Sequence, residues 1–189
     1  MDERELIRQM KSGDRASFDR IYEKYHVPLF RSAYLICGNR EDAEDVLQDT
    51  FVTCWLCIGQ LRKEESFRYW IFRIMTQAAR KRAKERSRQL PDEDIVNRID
   101  QMAVSSSMEA ADEYERTSDK TVIEEALSAL DQASREVIVL YYYEEMSVRE
   151  VAKTLGLLEG TVKSRLYFAR RKMKKILQEG GRREKCRRV

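Results

Sequence analysis

The chain's 189 residues allow one ordinary domain or two small ones, and its 7 glycines and 2 prolines supply too little turn chemistry for a β-sandwich or a doubly wound sheet. A single histidine, His26, and the lack of any GxGxxG or GxxxxGK[ST] loop remove the parts that triad hydrolases, His-rich metal sites and phosphate-loop enzymes need. The net charge of +3 says little about partners, because 36 Lys and Arg stand against 33 Asp and Glu, so its distribution along the chain is what carries information.

No apolar leader follows Met1, since the opening residues include Asp2, Glu3, Arg4, Glu5 and Arg8. No uncharged run approaches the roughly 20 residues of a membrane-spanning helix, so the expectation is a cytoplasmic protein with no direct membrane insertion. Phe18, Ile21, Tyr22, Tyr25, Leu29, Ala33, Tyr34 and Cys37 recur at helical spacing and predict a helix that Gly38-Asn39 ends. A second helix follows. Glu41, Asp42, Glu44 and Asp45 load its start, where the helix dipole favours acid, and Ala43, Val46, Leu47, Thr50, Phe51, Cys54 and Ile58 form its apolar face. Gln48, Asp49 and Val52 fall outside that face, and Asp45 and Asp49 form an acidic strip that serves solubility or docking equally well on physical grounds. Cys54 and Cys57 have C-x-x-C spacing, but neither a second pair nor a nearby His completes a tetrahedral zinc site. They read as buried helix cysteines, and no metal or other cofactor is expected; a redox or zinc protein is the rival that metal in the purified chain would favour.

After a polar loop from Gly59 to Glu65, a third helix starts near Ser66 with Phe67, Trp70, Ile71, Ile74 and Ala78 inward. Its other side carries Arg73, Gln77, Arg80, Lys81 and Lys84 in one sector, and the segment Arg68 to Arg88 has net charge +7. Trp70 borders that sector. Basic donors beside an aromatic ring suit a nucleic-acid strand, whose phosphates pair with cations while unstacked bases rest on rings; a plain core Trp is the alternative. From Ser87 to Ser118 the chain contains Pro91 and Ser105-Ser106-Ser107, and Asp92 to Asp119 has net charge −7. This composition predicts a flexible acidic linker, long enough at ~3.3 Å per residue to reach ~100 Å.

Ser147-Val148-Arg149-Glu150 is a capping box, so a helix begins there, with Val151, Ala152 and Leu155 inward and Gly156 as the turn. Gly160-Thr161-Val162 opens another helix, with Val162, Leu166, Ala169, Met173 and Leu177 inward, and the pair reads as a helix-turn-helix. The second helix exposes Lys163, Tyr167, Arg170 and Lys174 along one line, with Ser164 and Arg165 near its start, as major-groove readout and phosphate clamping require. Lys153 to Arg188 has net charge +10, and Glu124 to Glu150 before it has −5. The fold class expected is all-α: two small helical domains joined by a flexible acidic linker, the C-terminal one containing the helix-turn-helix.

Three ordered motifs now resemble one family. Glu41-Asp42-Ala43-Glu44-Asp45-Val46-Leu47-Gln48-Asp49-Thr50-Phe51 is similar to the polymerase-binding helix of extracytoplasmic-function (ECF) sigma factors of the sigma-70 family. Phe67-Arg68-Tyr69-Trp70-Ile71-Phe72-Arg73-Ile74 resembles their promoter-melting helix, and Gly160-Thr161-Val162-Lys163-Ser164-Arg165-Leu166 their recognition helix for the minus-thirty-five element. The resemblance implies an alternative sigma factor, not an enzyme, that answers an envelope or environmental signal. Its partners would be core RNA polymerase, promoter DNA and an anti-sigma factor, with no small-molecule substrate. It also implies that Asp45, Gln48, Asp49 and Phe51 dock on polymerase. Arg62, Lys63, Trp70, Arg73, Gln77, Arg80, Lys81 and Lys84 would hold the minus-ten strand, and Thr161, Lys163, Ser164, Arg165, Tyr167 and Arg170 would read the minus-thirty-five element. The domains implied are region 2 at 1–86, the linker at 87–118, region 4 at 119–179 and a basic tail at 180–189. The rival in the binding class is a stand-alone helix-turn-helix regulator, which would bind duplex DNA without polymerase. The family's pattern is departed from in three places: Met75-Thr76-Gln77 stands for its usual Ala-Arg-Asn, Leu158 for its N-cap Ser, and Phe168 for an Arg. Phe168 lies between inward Leu166 and Ala169, and recruitment of its ring to the core edge is expected.

Overall fold

The computed structural model describes residues 2–88 and 118–187, with side chains from residue 123 to 178 in the second stretch. The acidic segment between them and the side chains of the tail at 180–189 lie outside the described residues, and with them Pro91 and Cys186. Four helices form the N-terminal module: α1 (Glu3–Lys11), α2 (Arg15–Cys37), α3 (Arg40–Cys57) and α4 (Phe67–Arg88). α1 precedes the first helix expected from periodicity and buries Leu6, Ile7 and Met10 on one face. Local chemistry sets the other boundaries. The Asp14 carboxylate accepts from the Ser17 N–H at 2.9 Å to cap α2, and Gly38 ends that helix at φ 79°, a conformation glycine adopts without steric cost. The Asn39 side chain accepts from the Asp42 N–H at 2.8 Å and starts α3. Two short 3₁₀ turns, Ile58–Gln60 and Glu64–Ser66, occupy the predicted loop before α4.

The C-terminal module consists of α5 (Ser118–Ser128), α6 (Gln132–Ile138), a single π turn at Val139–Tyr143, α7 (Val148–Leu155) and α8 (Glu159–Arg187). Both bonds of the Ser147–Glu150 capping box are present, and Gly156 lies at φ 67° between the two helices of the helix-turn-helix. Val162, Leu166 and Ala169 are buried and Met173 is half-buried, but Leu177 is exposed, and Ile176 takes the next half-buried place. The correction follows from the 3.6-residue turn, which alternates steps of three and four from Met173 and reaches 176.

The two modules pack together. α2 and α4 of the first meet α6, the π turn and α7 of the second. Charged side chains cross this contact in partly dry surroundings. Arg135, 8% exposed, donates to the Ile36 carbonyl at the end of α2 at 2.8 Å, and to the Ser128 and Leu130 carbonyls at 3.1 and 3.0 Å. A guanidinium over two helix ends satisfies carbonyls that a terminating helix leaves open. Ser32 donates to the buried Glu144 carboxylate at 2.7 Å, and Arg68 reaches the same carboxylate at 3.4 Å. Glu145, next in the chain, takes φ 53°, which turns the backbone from the π turn toward Ser147.

Candidate polymerase and nucleic-acid interfaces

Helices α2 and α3 enclose a groove of ≈740 Å³ lined by Phe18, Tyr22, Leu47, Phe51, Val52 and Leu56 among others. Val52 and Leu56 stand 53% and 74% exposed on its rim, so this face is apolar and open. Of the residues the sequence assigns to polymerase, Gln48 and Asp49 are exposed beside the groove. Phe51, placed on the apolar face of α3 by its spacing, lines the groove from beneath. Its ring is only 5% exposed and meets Tyr22 at 4.6 Å and Phe18 at 6.1 Å, so it forms the groove's floor. Asp45 is ion-paired to Arg82 of α4 while its side chain stays 45% exposed, so it keeps its place on the strip beside Asp49 with part of its charge engaged. Val52 was legible as a position off the apolar stripe and Leu56, one turn later, was missed; the sequence does not reveal that α2 leaves them a groove.

The basic side of α4 is exposed at Arg73, Gln77, Lys81 and Lys84, and Arg62 and Lys63 are exposed in the preceding turn. Trp70 is half-buried at the border, its ring 6.0 Å from that of Phe67, so it serves the core while keeping part of its surface outside. Arg80 does not stand free in this arrangement. Its Nε donates to Glu136 of α6 at 2.9 and 3.1 Å in a forked pair, and the Glu136 side chain is fully buried. The guanidinium's pKa is raised chiefly by that hydrogen bond. Arg82 and Arg86, one turn apart, reach back to Asp42 at the start of α3 at 3.0 and 2.7 Å. Burial pushes the Asp42 carboxyl up, but hydrogen bonds from Asn39, Arg82 and Arg86 outweigh it and hold the carboxyl below its usual range. These two arginines thus fix α4 on α3; their i, i+4 spacing was readable, their partner was not. Burial pushes the Cys54 thiol up to about 12, which suits a core cysteine and disfavours redox reactivity.

On α8, Lys163, Ser164, Tyr167 and Arg170 are exposed, while Thr161 and Arg165 are half-buried. Arg170 lies 5.4 Å from the ring centres of both Tyr141 and Tyr142 and donates to the Tyr142 hydroxyl at 2.7 Å. The π turn therefore sets the direction of this cation. Phe168 is not recruited to the core edge: it is 64% exposed, against 2% for Ala169 beside it. The physical reason is rotation, since a step of 100° per residue carries position 168 out of the stripe that Leu166, Ala169 and Met173 occupy.

Residues 21–89 match the family Sigma-70 region 2, and residues 120–173 match Sigma-70, region 4. The ECF RNA polymerase sigma factor SigL of Mycobacterium tuberculosis is 32% identical over 164 residues, 85% of this chain and 89% of the relative. SigW of Bacillus subtilis, another ECF RNA polymerase sigma factor, is 26% identical over 178 residues, 92% of this chain and 95% of its own. Among solved structures, CnrH in complex with the cytosolic domain of CnrY superposes with a TM-score of 0.67 at 28% identity, over 94% of this chain and 97% of that one. Two helical modules, a helix-turn-helix in the second and these matches across both have one reading: the chain belongs to the ECF sigma factors of the sigma-70 family, alternative sigma factors that bind core RNA polymerase and direct transcription initiation at promoters.

Proposed function

We propose that the three surfaces divide the work of a sigma factor. The groove of α2 and α3, rimmed by Gln48, Asp49, Val52 and Leu56, takes a helical element of core polymerase. Arg73, Gln77, Lys81 and Lys84 of α4, with Arg62, Lys63 and the outer edge of Trp70, hold the single strand of the minus-ten element, and Arg80 joins them when Glu136 releases it. Thr161, Lys163, Ser164, Arg165, Tyr167 and Arg170 engage the minus-thirty-five element. In this reading residues 1–86 and 119–179 act as separate DNA-binding domains tethered through 87–118. The chain works in the cytoplasm, performs no covalent step and takes no small-molecule substrate. CnrH is solved with the cytosolic domain of CnrY, and the sigma factor RpoE of Bartonella quintana with the anti-sigma factor NepR; we assign a comparable anti-sigma partner to this chain.

The observation that carries the polymerase assignment is the open apolar groove beside an exposed acidic residue, because a folded monomer gains nothing from leaving Val52 and Leu56 in water. Leu56→Glu with Asp49→Lys should lower affinity for core polymerase at least tenfold without changing the melting temperature, since both side chains are exposed. Unchanged affinity would remove the groove from the docking surface. Trp70→Ala with Lys81→Ala should instead spare polymerase binding and closed complexes while reducing permanganate-reactive open complex.

A further inference from the structure

Two aromatic rings stand out from the basic surface of α8. Phe168 is 64% exposed and Tyr167 60%, and their rings meet edge to face at 5.3 Å between centres. Lys163, Arg170, Arg171 and Lys172 are exposed around them on the same helix. Helical spacing sets Thr161, Ser164 and Phe168 along one line, so a row of two hydroxyls ends in an apolar ring.

A phenyl group holds neither a phosphate nor a guanine edge, because it has no donor to offer. It contributes to binding by leaving water against another apolar group. On the base edges of the major groove that group is the C5 methyl of thymine. Tyr167 braces the ring from one side, which limits the freedom it would lose on contact. Phe168 also contributes little to the core, so its position on the helix is not explained by folding.

We propose that Phe168, braced by Tyr167, is a specificity-determining residue that selects a thymine in the upstream promoter element by covering its C5 methyl. This rests on the reading of α8 as the minus-thirty-five recognition helix. It adds an apolar contact to the hydrogen-bonding contacts assigned to Lys163, Ser164 and Arg165.

The test uses the full chain with core polymerase. A promoter pool randomised upstream is enriched for binding, and each thymine of the enriched element is then replaced singly by deoxyuridine, which lacks only the methyl. One position should lose about fourfold in affinity, the equivalent of ~0.8 kcal/mol for a buried methyl. Phe168→Ala should bind the thymine and deoxyuridine promoters equally, with its melting temperature unchanged. A methyl dependence that persists in Phe168→Ala, or none at any thymine, would overturn the proposal and leave the recognition helix intact. A pool that yields no upstream element would overturn both this proposal and the reading beneath it. Unaltered promoter selection by Phe168→Ala together with weakened binding to an anti-sigma factor would likewise overturn it, by assigning the ring to a protein contact.

Discussion

Helices α4 and α8 carry the two basic blocks of the chain, yet their cations are spent differently. Along α4, Arg80 is forked to buried Glu136, Arg68 reaches Glu144, and Arg82 and Arg86 hold Asp42. Along α8, Lys163, Arg171 and Lys172 are exposed, and Arg170 is directed by tyrosine rings instead of a carboxylate. The acid between Glu124 and Glu150 explains part of the difference, because Glu136 and Glu144 take Arg80 and Arg68 across the module contact, while Asp42 holds Arg82 and Arg86 within the N-terminal module. The packed arrangement therefore occupies part of the helix proposed for strand capture and leaves the exposed basic face of α8 outside. Arg80 cannot hold Glu136 and a phosphate at once, so its use on DNA requires the modules to part.

The largest effect should come from breaking this pair, and it should be unequal between partners. The Glu136 side chain is fully buried, whereas that of Arg80 is 42% exposed. Arg80→Ala leaves a carboxylate in a dry contact and should cost the packed arrangement about 3 kcal/mol. Glu136→Ala lets the guanidinium return to water and should cost about 1 kcal/mol. Denaturant titration of both variants, with a distance probe between labels on α3 and α8, measures the asymmetry. Equal losses, or modules that stay together in Arg80→Ala, would break the contrast between an engaged α4 and an open α8.

Much of each module was legible in the chain, and their mutual arrangement was not. Gly38, Asn39, Ser147, Glu150 and Gly156 set helix ends through bonds to residues at most four positions away, so the sequence pattern contains both partners. The apolar stripes of α3 and α4 were similarly local. By contrast, Arg80 and Glu136 lie 56 positions apart, and Ser32 and Glu144 lie 112 apart. Nothing in charge or spacing selects those partners from the many other carboxylates. Phe168 failed for a subtler reason: being adjacent in sequence to buried Ala169 says nothing about facing inward on a helix.

A smaller effect sharpens the open side of the contrast. α7 begins with a complete capping box, but α8 begins at Glu159 behind Leu158, which is 79% exposed and whose side chain has no oxygen to cap the first N–H groups. Leu158→Ser should stabilise the C-terminal module by about 1 kcal/mol in thermal melting. Because this end of α8 lies outside the module contact, the distance between labels on α3 and α8 should not change. A shift in that distance would mean that the start of α8 takes part in closure.

The smallest effect concerns acid and the α4–α7 edge of the contact. Glu150 accepts a hydrogen bond from the Tyr69 hydroxyl while its second oxygen caps the Ser147 N–H at 2.8 Å. Lys153 stands over the Tyr69 ring at 5.2 Å and donates to Ser66 at 3.2 Å, and Arg68 adds positive potential nearby. The bond from Tyr69, then those from Ser147, hold the Glu150 carboxyl below its ordinary value of 4.5. A carboxyl whose pKa is lower in the folded state binds fewer protons there than in the unfolded one. Its stabilisation is thus full above pH 4.5 and is lost as pH falls through the lowered value. The site is largely solvated, so the cross-module share should be less than about 1 kcal/mol. Tyr69→Phe removes that share and keeps the capping box. The variant should be slightly less stable than the parent at pH 7, with the gap narrowing as pH falls below 4.5. A gap that stays constant through that range would assign the loss to packing of the ring and not to the charged bond.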